Sequence, residues 1–266
     1  MAYVNYVTKN LAIKIVYYGP GLSGKTTNLR YIYYKLDPAY RGDLICLETD
    51  TERTIFFDLL PIKAGLIGDF KVHFQLLTVP GQVFYEASRK SVLKGADGIV
   101  FVADSQVPLL DANLESFDSL RRNLLENNMD LNQMPLVFQY NKRDLENLIP
   151  VETFNNLLNP HGCPFIESSA INGWGVFETL HEIAKLTVPR VKEVIFKEEI
   201  GLEEKEEEEK AIEREIYCKI QTPRLEERPA EPMPPPAGEK KRKVRTHEEI
   251  EQELERLARE FLGKKS

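Results

Sequence analysis

Two short stretches of the chain hold residue types suited to gripping a phosphorylated ligand. The first is Gly19-Pro-Gly-Leu-Ser-Gly-Lys25-Thr26, which fits the pattern G-x-x-x-x-G-K-[ST]. Glycines in such a loop let backbone N–H groups turn inward onto phosphate oxygens, the lysine adds positive charge near the outer phosphates, and the threonine offers a hydroxyl to a divalent cation. The pattern is specific only between a strand and a helix. Here the apolar run 11–18 precedes it and a helical pattern over 26–36 follows. The second stretch is Asn141-Lys142-Arg143-Asp144, placed after another apolar run, 135–140. A carboxylate at Asp144 can accept from the ring N–H and the exocyclic amine of guanine, whereas adenine presents a ring acceptor there and is disfavoured. Glu167-Ser-Ser169-Ala170 ends the next apolar run and supplies a backbone N–H at Ala170 for the guanine oxygen.

These loops need a scaffold that brings strand ends together. Residues 11–18, 72–79, 98–103, 135–140 and 164–168 read as strands, with 42–48 as a weaker edge or antiparallel strand. Helical patterns cover 26–36, 85–93, 113–127, 151–158 and 176–194. Strands alternating with helices predict an α/β fold: a doubly wound, mostly parallel sheet of about six strands with helices on both faces, binding ligands at the carboxyl ends of the strands.

Composition bounds the rest. The chain has 266 residues, 42% of them hydrophobic and 29% charged. Charges crowd toward the end: more than half of residues 197–266 are charged and aromatic residues almost vanish, so that stretch cannot bury enough apolar surface to offset its ordering entropy. A folded domain over 1–196, a charged and proline-rich linker over 197–245 and a short amphipathic helix over 246–266 are the expected divisions. The last begins with the capping box Thr246-His-Glu-Glu249 and places Ile250, Leu254, Leu257 and Phe261 on one face. A net charge of −7 argues against general nucleic-acid binding. Three unpaired-looking cysteines, Cys46, Cys163 and Cys218, and the lack of a long apolar run point to a cytoplasmic protein without stable membrane insertion. His73 and His161 are isolated and read as packed or surface residues, and Trp174 as a residue that pins a turn.

Together the three motifs, in this order, resemble the Ras-like small GTPase superfamily. Gly19 to Leu29, Glu52-Arg-Thr-Ile-Phe-Phe-Asp58 and Thr78-Val-Pro-Gly-Gln82 look like its bacterial MglA branch, the GTPases of gliding motility and cell polarity. The resemblance covers about residues 8–195. It implies nucleotide contacts from Gly19, Gly21, Leu22, Ser23, Gly24, Lys25, Thr26, Thr27, Gly81, Asn141, Lys142, Asp144, Ser169 and Ala170. GTP or GDP with Mg²⁺ is the implied ligand, Thr26 and Thr54 holding the metal. Lys25, Thr54, Gln82 and Arg53 are the implied catalytic set: Gln82 orients the attacking water, and Arg53 acts as an arginine finger from the same chain. One departure is Thr78, which stands where most members of the superfamily place an aspartate that holds Mg²⁺ through water.

The implied activity is slow GTP hydrolysis, stimulated by a roadblock-fold activator of the MglB type that docks on the switch loops and the 42–49 strand, with effectors bound in the GTP state. A GTP-binding scaffold with negligible hydrolysis is the alternative, and a P-loop ATPase or kinase is disfavoured by Asp144. The terminal helix suits a partner's groove, with weak contact to anionic lipid or folding back on the domain as rival roles.

Overall fold

The computed structural model describes residues 3–48, 54–82 and 85–196. The divisions expected over 197–245 and 246–266 lie outside the described residues, as does Arg53.

Among the described residues the sheet has eight strands rather than about six. They are β1 (Tyr3–Asn5), β2 (Asn10–Tyr18), β3 (Ile45–Glu48), β4 (Thr54–Ile67), β5 (Phe70–Thr78), β6 (Gly98–Asp104), β7 (Leu136–Asn141) and β8 (Phe165–Glu167). Their order is β3-β4-β5-β2-β6-β7-β8, with β1 antiparallel to the start of β2. From β5 to β8 the pairings are parallel, while β3–β4 and β4–β5 are antiparallel. Strand 42–48 is thus the expected edge strand, trimmed to four residues. β1 and β4 are the two additions. The 14-residue β4 holds Asp58, Pro61 and Gly65, residues that break an apolar pattern. The β4–β5 register shifts at Lys63/Gly65, and the N–H of Gly42 donates to Pro61 O on the outer side, so both interruptions are absorbed.

Five helices cover the sheet: α1 (Lys25–Lys35), α2 (Glu86–Leu93), α3 (Leu110–Glu126), α4 (Val151–Leu158) and α5 (Val176–Phe196). Alternation along β2 divides the core. Ile13, Ile15 and Tyr17 point to the side of α1 and α5, where Leu29, Ile32, Phe177, Leu180 and Ile183 are buried. Val16 and Tyr18 point to the other side, where Phe101, Phe117, Phe138 and Phe154 meet under α2, α3 and α4. Strands buried on both faces explain the near-continuous apolar runs of β6 and β7, all of whose residues are buried. The carboxyl ends of β2, β5, β6, β7 and β8 then open into loops at one edge of this sandwich, and the motif residues occupy those loops.

Candidate functional site

The loop after β2 is shaped by positive φ angles at Gly19 (145°), Leu22 (61°) and Gly24 (98°). A Cβ at Gly19 would meet the carbonyl of Val102 in β6, and one at Gly24 would meet the side-chain amide of Asn141. Both glycines are therefore needed for close approach as well as for backbone shape. Leu22 takes the same left-handed region with a side chain and is exposed.

Lys25 starts α1 and is buried. Its ammonium donates to the carbonyls of Gly19 (2.9 Å) and Pro20 (2.6 Å). Burial is the largest influence on it and lowers its pKa to about 7; Asp58 pulls the other way and Arg89 adds to the lowering. Thr26 and Thr27 follow on the first turn, half-buried.

Asn141, at the end of β7, joins the glycine loop to the loop after β8. Its side-chain N–H₂ donates to Ser23 O (2.7 Å), and its Oδ1 accepts from the Ala170 N–H (2.8 Å) and the Ser168 hydroxyl (3.1 Å). The Ala170 N–H expected to meet the guanine oxygen is thus engaged by Asn141 here. Asp144 is exposed beyond the strand end. Lys142 pairs with Asp104 at 2.6 Å, and Ser169 is buried with its N–H on Trp174 O. Trp174 keeps its own side chain half exposed, so its turn is fixed by the backbone. His73 makes a long contact to Asn10 and stands far from these loops in the sheet register.

Sequence reasoning passed over Asp58. It is fully buried in β4, and one carboxylate oxygen, Oδ2, accepts from both Thr26 Oγ1 and Thr78 Oγ1 at 2.6 Å. The Asp58 N–H donates back to Thr78 Oγ1 at 2.9 Å. Its other oxygen, Oδ1, is buried and has no hydrogen-bond partner among the described residues. A buried anion with a bare oxygen is costly unless a cation or donor reaches it. The charge that position 78 lacks is therefore present, carried by the neighbouring antiparallel strand at the residue facing Thr78. No signal within the sequence pointed there, because Asp58 lies 32 and 20 residues from its partners.

After β5, Gly81 lies directly on the glycine loop: a Cβ there would collide with the backbone of Pro20 and Gly21. The carbonyl of Gln82 accepts from the guanidinium of Arg89 on α2. Arg89 is buried and also reaches the Tyr18 hydroxyl, which bonds to Ser119 and Asn123 of α3. Arg89 is a second residue that sequence reading missed; a lone arginine on an amphipathic helix carries no signal of an inward role. Thr54 opens β4 opposite Glu48. Among the described residues no cluster of three His, Cys, Asp or Glu side chains forms a metal-binding group, so a cation here would rest on hydroxyls and one carboxylate.

A glycine loop leading into a helix, a lysine poised beneath it and the loop 141–144 tied to it by one asparagine make the arrangement of a P-loop GTPase built on a doubly wound α/β sheet. The chain matches the Ras family over residues 14–188 and belongs to that family. It is similar to the mutual gliding-motility protein MglA of Myxococcus xanthus, 54% identical over 192 residues, covering 72% of this chain and 98% of that protein. The protein is thus a Ras-like GTPase of the MglA branch, which binds guanine nucleotide and hydrolyses GTP. No described helix is long and apolar enough to cross a membrane.

Proposed function

We propose that this GTPase is a two-state switch of cell polarity or gliding motility, working in the cytoplasm and hydrolysing GTP slowly until a roadblock-fold protein of the MglB type engages its switch segments. The M. xanthus relative, a mutual gliding-motility protein, supports the process. The observation that carries the switch reading is the seating of Gly81 on Gly21, because it places the segment bearing Gln82 against the loop that receives the phosphates. A γ-phosphate entering there is felt at once by both segments, and its loss releases the contact.

Mg²⁺ fits the oxygens present. The Thr26 hydroxyl and the bare Oδ1 of Asp58 would hold it, with Thr54 joining from the start of β4, while Thr78 fixes the other Asp58 oxygen. When bound, the ion neutralises charge on the β- and γ-phosphates. The protein's own groups do the rest. Lys25 leaves the Gly19 and Pro20 carbonyls for phosphate oxygens, whose negative charge favours its protonated form. Gln82, whose carbonyl is held by Arg89, orients the attacking water. Arg53 enters from the segment just before β4 to offset the charge that develops on the transferred group. Asn141 keeps the purine end in register with the phosphate end, and Asp144 selects guanine.

Single-turnover GTP hydrolysis with and without a roadblock partner tests this reading. Stimulation in the parent protein that is lost in Arg53→Ala and Gln82→Ala is the expected result. Equal rates with and without partner would leave a guanine-nucleotide scaffold whose regulation lies elsewhere.

A further inference from the structure

The base-reading loop rests on a side chain that neither motif contains. Asp104, the last residue of β6, is almost fully buried, and its Oδ2 lies 2.6 Å from the ammonium of Lys142 in the neighbouring loop. The carboxylate is held from behind. The N–H and the side-chain amide of Gln106 both donate to Oδ1 at 3.1 Å. The Asp104 backbone is fixed as well: its N–H donates to Asn113 Oδ1 (2.9 Å) and its carbonyl accepts from Asn113 Nδ2 (2.8 Å), Asn113 being fully buried in α3. Lys142, by contrast, is partly exposed and sits at φ +67°, a conformation that a residue with a side chain adopts only when its surroundings hold it there.

We propose that Asp104 is a positioning residue for guanine nucleotide binding, its buried carboxylate anchoring the Lys142 ammonium and thereby holding the 141–144 loop in the form that receives the purine. The proposal rests on the reading of that loop as the base site. A free lysine samples many rotamers, and ordering it when ligand arrives subtracts from affinity; anchoring it in advance removes that cost. The burial of Asp104 strengthens the attraction beyond that of a surface pair, and the Asn113 clamp makes α3 the element that sets the anchor's position. Ser105 extends the same bed, its N–H on Asn141 O and its carbonyl accepting from Ile149 N, so the loop is braced at both ends and Asp104 braces its middle.

A double-mutant cycle on release of fluorescent N-methylanthraniloyl GDP from the full chain tests the proposal. Lys142→Met and Asp104→Asn are each expected to speed release about tenfold, and the double variant is expected to release no more than about twofold faster than Lys142→Met alone, the signature of two residues acting as one unit. Additive effects, or Asp104→Asn releasing GDP at the parent rate, overturn the proposal. Lys142→Met at the parent rate would instead sink the reading of the loop as the base site, and the role of Asp104 with it. Asp104→Glu keeps the charge but displaces it by one methylene, and should speed release by less than Asp104→Asn does. If Asp104→Asn does not fold, the Asp104→Glu cycle decides: a faster release that vanishes in the Lys142→Met background supports the proposal, and a parental rate or an additive effect overturns it.

Discussion

At Lys25, burial and charge pull in opposite directions. The folded protein lowers its pKa from 10.5 to about 7, chiefly through burial, so at pH 8 most molecules carry it neutral before nucleotide binds. Phosphate oxygens favour the charged form and raise the pKa again, so nucleotide binding at pH 8 draws a proton from solution, whereas at pH 6 the lysine is already charged and none is taken up. Calorimetry of GDP binding in two buffers of different ionisation enthalpy should show uptake approaching one proton at pH 8, little at pH 6 and none in Lys25→Met. Equal heats in both buffers at pH 8 would mean that Lys25 keeps its charge throughout. Asp58 makes the complementary prediction. Asp58→Asn keeps an oxygen for Thr26 and Thr78 but removes the charge, and should raise the Mg²⁺ concentration needed to retain nucleotide by about 10- to 100-fold. Thr78→Val leaves the carboxylate in place while stripping a hydrogen bond from it and from the Asp58 N–H, and should cost about 1–3 kcal/mol in chemical unfolding. A Mg²⁺ requirement unchanged in Asp58→Asn would remove that carboxylate from the metal site.

Elements decide how far such residues could be read in advance. The runs 98–103 and 135–140 were legible as strands because burial on both faces leaves them almost wholly apolar, and the five helices stand out through their periodicity. α3 begins at Leu110 rather than 113 because the turn Val107–Leu109, with Pro108 at its start, leads straight into it. β1 was hidden by its three-residue length, and β4 by Asp58, Pro61 and Gly65, each tolerable only because of its neighbours in the sheet. The site divides the same way. Contiguous motifs single out Lys25, Gln82 and Asn141 as candidates, whereas Asp58, Arg89 and Asp104 each have a partner far away in the sequence. α2 illustrates the consequence. Arg89 joins the carbonyl of Gln82 to the Tyr18–Ser119–Asn123 group on β2 and α3, so the segment bearing Gln82 is tied to the helix that follows it. Arg89→Ala should therefore lower partner-stimulated hydrolysis about tenfold, with GDP affinity changed far less, by analogy with loss of a positioning contact. It should also raise the Lys25 pKa, since Arg89 is one of the charges that lowers it, and so reduce the proton uptake at pH 8. Hydrolysis at the parent rate would show that Gln82 is placed without α2.

Among the described residues the two hydrophobic cores draw on nothing after Val191. Val188 and Val191 of α5 are the last buried residues of the cluster under α1 and α5, and Leu158 is the last of the other. The match to the Ras family ends at 188, and almost the full length of the M. xanthus relative is covered by 72% of this chain. Residues beyond Phe196 carry so high a density of charge that an additional core built from them has little apolar surface to draw on. A protein ending at Phe196 should accordingly unfold within about 1 kcal/mol of the full chain and bind GDP equally tightly, because so charged a segment has little apolar surface to add to the core. Its unstimulated hydrolysis should match as well. Comparing the two by thermal unfolding and GDP release separates the possibilities cleanly: a truncated protein that melts early or releases GDP faster would show that the segment after α5 packs on the GTPase domain and tunes it, whereas equality confines that segment to contacts with other molecules.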